Sequence, residues 1–299
     1  MKHHHLGAVA AVAAVLLAAC GGGDSGAESS VATAAALAVA PVSSAPAAAG
    51  SAVMAPMVLV KAGTLSVCLD PEYAPMEYYE NGTDGEIVGF DADGARALAE
   101  SWGLGVELQA TAFDGLLPAM NANRCDIVWS GLNLSDKRLE VADGVAYLNT
   151  GPTLVVAAGN PTGATNLASL CGLTIAVQAG STNESIVSEQ DKACEAEGKP
   201  GLSVQSYPET AETFAAVTNG KADALVETDV VVPAKVSKSG GMLEEVSNVF
   251  KTTSQFAVYV NKGSELLPAL QEAITALIAD GTFADVASKY GLDPAKVAQ

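Results

Sequence analysis

Apolar and polar positions divide the chain into three regimes. Residues 6–17 are almost wholly apolar, but the run is shorter than the roughly 20 residues of a membrane-spanning helix. Residues 21–58 hold Ala, Ser, Gly and Pro with almost no large apolar side chains. Such a composition buries no core and predicts a flexible tether. From about residue 60 strand-like and helix-like stretches alternate. The apolar run at 64–69 predicts a buried strand. Residues 90–102 predict a helix, with Leu98 and Trp102 four apart on one face and Asp91 and Asp93 in the first turn, where the macrodipole favours them. Strands follow at 106–108 and 126–129, with a short helix at 113–120 between them. Next come a strand at 173–177, a helix from Ser181, a helix at 209–217, and strands at 223–226 and 258–260. Leu270, Ile274 and Leu277 mark the buried stripe of a C-terminal helix. This alternation predicts an α/β fold of parallel sheets covered by helices. No internal repeat is visible.

The first twenty residues predict export. Lys2 supplies a positive start, 6–17 the apolar centre, and Leu17-Ala18-Ala19-Cys20 the end. Small residues before a cysteine resemble the lipobox of bacterial lipoproteins, which implies a signal peptide at 1–19 and a diacylglycerol-modified Cys20. An ordinary secretory peptide that happens to contain Cys20 is the alternative. Gly21-Gly22-Gly23 and the spacer after them weigh for the lipoprotein. The lipidated cysteine and tether then span 20–59.

Composition narrows the chemistry. Hydrophobic residues make 49% of the chain and charged residues 16%, enough for a sizeable core. The net charge of −19 repels nucleic acid and anionic membrane surfaces, so membrane contact is expected through the lipid alone. The three histidines are His3, His4 and His5. Ser-His-Asp and Cys-His catalysis and histidine zinc sites are thereby excluded from the folded region. No metal and no cofactor are expected.

Four segments carry a family resemblance: GFDADGARALA at 89–99, CDIVWSGLNLSDKR at 125–138, QAGST at 178–182 and ADALVETD at 222–229. In this order and spacing they resemble the family 3 solute-binding proteins of bacterial amino-acid importers, over nearly all of 60–293. The resemblance implies a two-lobed periplasmic-binding-protein (Venus flytrap) fold with parallel-rich sheets flanked by helices. Lobe 1 would take 60–152 and 254–299, and lobe 2 would take 153–253. Two hinge strands would lie near 153–156 and 254–258. The ligand would sit between the lobes, where loops at the carboxyl ends of the sheets converge.

An amino-acid carboxylate needs a fork of charged donors and backbone N–H groups. Arg138, inside the second of the segments that carry the resemblance, can supply the fork; it is one of three arginines, with Arg96 and Arg124. A solvated surface arginine after a helix start is the alternative. Gly180, Ser181 and Thr182 follow a strand and open a helix, which makes an anion site; a plain βα turn with a capping hydroxyl accounts for the same residues. Asp229 matches the family's ammonium-binding position and also suits a helix N-cap. By the same resemblance Ser130, Gly131 and Asn133 complete the contacts, with Asn133 standing where the family usually has Ser or Thr. Tyr73 and Phe113 match rings that sandwich the ligand's aliphatic part, and core packing is the alternative for both. Asp70 matches a position that meets the side-chain tip, with Glu72 and Glu77 nearby. No Lys or Arg lies between Leu65 and Asp93, which leaves cationic or neutral polar side chains. Met76 and Trp129 depart from the family's usual residues and could reshape the pocket.

Cys68, Cys125, Cys171 and Cys194 remain. An even number in an exported chain suggests disulfides, and four cysteines permit three connectivities. Cys171–Cys194 within lobe 2 and Cys68–Cys125 within lobe 1 are preferred, because a cross-lobe bridge would lock the hinge. Free buried thiols are the alternative. The expected function is substrate binding, without catalysis, for an ABC importer, with a small amino acid and the permease subunits as partners, by a monomer anchored on the outer face of the membrane. Two other readings stand beside it. One is an arogenate or prephenate dehydratase on the same fold, with Glu227 or Asp229 as general acid. The other is a sensory module that needs a separate signalling partner.

Overall fold

Long buried runs become the middle strands of two five-stranded sheets. A computed structural model describes residues 58–299; the signal peptide, Cys20 and the tether to residue 57 lie outside the described residues. The chain opens with β1 (Thr64–Leu69), β2 (Glu72–Tyr73), β3 (Glu77–Tyr79), β4 (Ile87–Val88), α1 (Phe90–Ser101), β5 (Gly105–Ala110), α2 (Leu116–Asn121), β6 (Ile127–Val128), α3 (Asp136–Leu139) and β7 (Ala142–Thr150). It continues through β8 (Pro152–Ala157), β9 (Thr174–Gln178), α4 (Thr182–Ala196), β10 (Ser203–Tyr207), α5 (Thr210–Thr218), β11 (Ala224–Thr228), α6 (Val232–Lys238) and β12 (Leu243–Val246). It returns as β13 (Ser254–Asn261), α7 (Leu267–Ala279) and α8 (Thr282–Lys289). Among the described residues no helix is long and apolar enough to cross a membrane.

The first lobe's sheet has the order β5-β1-β6-β13-β7, and the second lobe's has the order β10-β9-β11-β8-β12. Both are mixed rather than parallel-rich. β1 runs parallel to β5 and β6, whereas β13 is antiparallel to β6 and β7. β9 runs parallel to β10 and β11, whereas β8 is antiparallel to β11 and β12. The lobe connections cause this. β7 carries the chain out of the first lobe and β13 brings it back, so the two run in opposite senses where they pair.

The crossings lie at Gly151 and over 247–253, whereas 153–156 and 254–258 are inside β8 and β13. A Cβ on Gly151 would stand 3.1 Å from the Thr252 carbonyl, so the two crossings run side by side. Each disulfide stays within one lobe and leaves the crossings unlinked. Cys68 on β1 joins Cys125 just before β6, and Cys171 joins Cys194 on α4, with Cα separations of 5.8 and 5.6 Å.

The periodic apolar stripes fill the lobes. Leu98 of α1 and Leu270, Ile274 and Leu277 of α7 pack on Leu65, Val67 and Leu69 of β1 in one cluster. Trp129 and Met76 belong to this core and do not line the cleft; both are fully buried. Trp129 lies 5.4 Å from the Tyr147 ring and 5.8 Å from Phe283. Gly94 makes room for it, since a Cβ there would stand 2.8 Å from the indole. The helix expected at 113–120 begins as a 3-10 turn (Phe113–Gly115) before α2.

Candidate functional site

Arg138 is positioned by the short helix α3, whose N-cap Ser135 accepts the Arg138 backbone N–H at 3.4 Å. The residue is 8% exposed. Its Nη1 donates to the Asn133 carbonyl at 2.8 Å, and its Nη2 reaches across to the Gly180 carbonyl of the second lobe at 3.4 Å. The guanidinium lies 5.8 Å over the Phe113 ring. Burial pulls its pKa below the ordinary value, yet an arginine stays charged in proteins. Both acceptors are neutral carbonyls, so the charge keeps its capacity for an anion.

The facing edge belongs to the second lobe. Gly180 turns the chain from β9 into α4 with φ 74°, a left-handed conformation that favours glycine. Two groups expected to meet ligand are engaged locally. The Gly180 N–H donates to Glu184 Oε2 at 2.8 Å, and the Ser181 hydroxyl accepts the Glu184 N–H at 3.1 Å. The Thr182 and Asn183 N–H groups, in the first turn of α4, have no acceptor within the helix and lie at its positive end. Arg138, Gly180, Ser181 and Thr182 line one interlobe cavity of about 720 Å³.

The carboxylate turned toward the cleft is Glu227. It lies near the end of β11 and is 3% exposed. Its Oε1 accepts the Tyr73 hydroxyl at 2.7 Å, the Thr228 N–H at 2.7 Å and Asn183 Nδ2 at 3.5 Å. Burial raises its pKa. Asp229, expected to meet an ammonium, lies just beyond the strand at the lobe crossing. Its Oδ1 accepts the Thr150 hydroxyl at 2.9 Å and the Gly151 N–H at 3.2 Å, and its Oδ2 pairs with Lys296 at 2.7 Å.

The first lobe builds the opposite wall. The Tyr73 hydroxyl also lies 2.7 Å from Thr228 Oγ1. Its ring lies against Gly131, where φ is 52° and a Cβ would stand 2.8 Å from the ring. The polar groups of Ser130 and Gly131 point inward. The Ser130 hydroxyl accepts the Asp70 N–H at 2.9 Å and donates to Glu77 Oε1 at 2.7 Å, and the Gly131 N–H donates to Asp91 Oδ2 at 2.7 Å. Asn133 donates to the Ser254 hydroxyl at 2.8 Å. Ser130 and Gly131 therefore support the wall through buried polar groups, while Asn133 ties Ser254 to Arg138 through its amide and its carbonyl.

Beyond Phe113 lies a second cavity of about 420 Å³. Asp70, Glu72, Asp114 and Glu209 line it with Phe113 and Tyr79, and none of its lining residues is Lys or Arg. Burial, then Glu72 and Glu209, push the Asp70 carboxyl up to about 7. A bound cation would relieve this crowding. Sequence reading placed Asp70 and Glu72 near one another but missed Asp114 and Glu209, which come from distant segments and carry no local signal.

The sequence profile of the bacterial extracellular solute-binding proteins, family 3, matches residues 65–293. An arginine-binding protein of Corynebacterium glutamicum is 32% identical over 242 residues, covering 80% of this chain and 78% of that protein. An L-cystine-binding protein of Escherichia coli K12 is 27% identical over 237 residues, covering 78% of this chain and 85% of the other. Among solved structures, an ancestral arginine-binding protein bound to arginine superposes with a TM-score of 0.69 at 30% identity, over 76% of this chain and 98% of that one.

Proposed function

The chain belongs to the bacterial extracellular solute-binding proteins, family 3, and we propose that its ligand is a cationic amino acid lying between Arg138 and the Asp70 cavity. As a family member it is the extracytoplasmic substrate-binding subunit of an ABC importer for polar amino acids, a non-catalytic transport protein on the periplasmic or extracellular side. The observation that carries the finer reading is the cavity in which Asp70, Glu72, Asp114 and Glu209 converge without a lining cation.

In this reading the ligand carboxylate meets Arg138 and the first-turn N–H groups of α4, a charged fork beside a helix N-terminus. The α-ammonium meets Glu227, which is buried and already an acceptor. The aliphatic stem passes between Tyr73 and Phe113. The side-chain cation enters the Asp70 cavity, where four carboxyl groups attract it and would repel an acidic side chain. The arginine-binding relative supports this assignment. The protein acts as a monomer, held at the membrane by lipid on Cys20, and delivers its ligand to a permease.

Isothermal titration of the purified protein against the common amino acids tests the assignment. Arginine, lysine or ornithine should bind most tightly and glutamate should not bind. A neutral amino acid that binds more tightly than every cationic one overturns it.

A further inference from the structure

Beneath the cleft wall lie two carboxyl groups with no cation beside them. Glu77 begins β3 and Asp91 sits in the first turn of α1, and both are fully buried. Asp91 accepts the Gly131 N–H on Oδ2 at 2.7 Å, and the Tyr147 hydroxyl lies 2.7 and 2.8 Å from its two oxygens. Glu77 Oε1 accepts the Ser130 hydroxyl at 2.7 Å. Glu77 Oε2 is buried with no donor directed at it. The titratable groups facing the pair are Asp70 from the end of β1, Tyr73 from β2 and Tyr147 from β7, and none is cationic. Two adjacent buried carboxyl groups without a counter-ion do not both ionise. A proton on Glu77 Oε2, given to Asp91, accounts for an oxygen that receives no donor because it is one.

We propose that Glu77 and Asp91 hold one proton between them and act as positioning residues for the ligand cleft, fixing the Gly131 amide and the Ser130 hydroxyl. Both anchors touch the wall that faces ligand. Gly131 lies under the Tyr73 ring, whose hydroxyl reaches Glu227. Ser130 accepts the Asp70 N–H and so sets where the acidic cavity begins. Burial holds Glu77 well above the ordinary carboxyl range and raises Asp91 to about 7, in keeping with one shared proton near neutrality. The inference rests on the ligand reading only in that this wall is taken to face the ligand.

Ligand-free protein tests it. Glu77→Gln keeps the shape of the protonated acid, with an oxygen for Ser130 and an N–H for Asp91. At pH 7 the infrared absorption of protonated carboxyl groups should be weaker in Glu77→Gln than in wild type by the contribution of one buried group, the Asp70 contribution remaining in both. Gly131 amide exchange should stay within about threefold of wild type in Glu77→Gln. It should quicken roughly tenfold or more in Asp91→Asn, which loses a hydrogen bond to a charged acceptor. In wild type, Gly131 protection should fall at alkaline pH as the pair loses its proton, and Glu77→Gln should abolish that dependence. A purely structural role would not produce this difference. If Asp91→Asn does not fold, the Glu77→Gln infrared and pH comparisons decide alone. An unchanged infrared band in Glu77→Gln, or a Gly131 amide as protected in folded Asp91→Asn as in wild type, overturns the proposal. In a parallel titration with L-arginine, Asp91→Asn should bind more weakly than Glu77→Gln, and equal binding by the two counts against positioning. Failure of wild type to bind L-arginine removes the ligand reading and leaves the exchange and infrared tests in force.

Discussion

Tyr73 and Glu227 meet across the cleft, the phenol oxygen of one lobe 2.7 Å from the carboxyl oxygen of the other. An incoming ammonium has to share or displace this bond. Glu227→Gln removes the charge and should weaken amino-acid binding by about tenfold or more, since hydrogen bonds to charged groups contribute about 1.5–3 kcal/mol. Tyr73→Phe leaves the charge in place and should cost less than Glu227→Gln. Titration calorimetry of both variants checks the order, and the reverse order would remove Glu227 from the site.

Arg138 should carry more binding free energy than any other single residue. Its charge is buried against two carbonyls, so truncation leaves a ligand carboxylate without its partner, a loss on the order of 2–5 kcal/mol. Arg138→Ala should weaken binding by roughly thirty to several thousandfold. Arg138→Lys should recover only part, because an ammonium lacks the planar fork. Arg96→Ala is the control, since Arg96 bonds Asp93, Glu86 and the Ile87 carbonyl away from the cleft. Near-wild-type affinity in a folded Arg138→Ala protein would return the carboxylate site to question.

The Asp70 carboxyl predicts a pH-dependent affinity. Its pKa is about 7 in the ligand-free protein, and a bound cation would lower it. Binding below neutrality must then release a proton, so affinity for L-arginine should rise from pH 5 to pH 7 and level off above. The Asp70 contribution can reach at most about tenfold per pH unit. Asp70→Asn should bind more weakly at pH 7 and flatten the profile. Equal slopes in the two proteins would show that the cation does not meet Asp70.

Lys296→Ala separates hinge from ligand. Its pair with Asp229 is partly exposed, at 30% and 36% of the two side chains, and such pairs contribute about 0–1 kcal/mol. Affinity should change by less than about fivefold. A loss in Asp229→Ala as large as that in Arg138→Ala would make Asp229 the ammonium partner after all.

Cys20→Ala should leave the leader uncleaved at the Leu17–Cys20 sequence or release the protein from membranes. Mass spectrometry of the wild-type N-terminal peptide reads the lipid directly, and an unmodified Cys20 would end the anchor proposal.

Local chemistry made much of this protein legible in its sequence. A continuous apolar run located β1, which is buried on both faces, the 3.6-residue period located α1 and α7, and the four segments at 89–99, 125–138, 178–182 and 222–229 carried the family resemblance. Arg138 was visible as one of three arginines inside such a segment. Short strands such as β2, β3 and β12 escaped notice, because two to four residues carry too little periodicity to read. The mixed direction of both sheets depends on how the chain crosses between lobes, which no local pattern encodes.

The roles of the acidic residues were decided only by tertiary structure. Glu227 and Asp229 are two positions apart, and strand alternation would aim both the same way. β11 ends at Thr228, so Glu227 stays on the cleft while Asp229 turns to Thr150, Gly151 and Lys296. Asp91 looked like a helix-start acid, yet it answers to Gly131 and Tyr147, 40 and 56 residues away. A carboxyl group's role follows from the donors and charges around it, and folding brings those from segments that the sequence keeps apart.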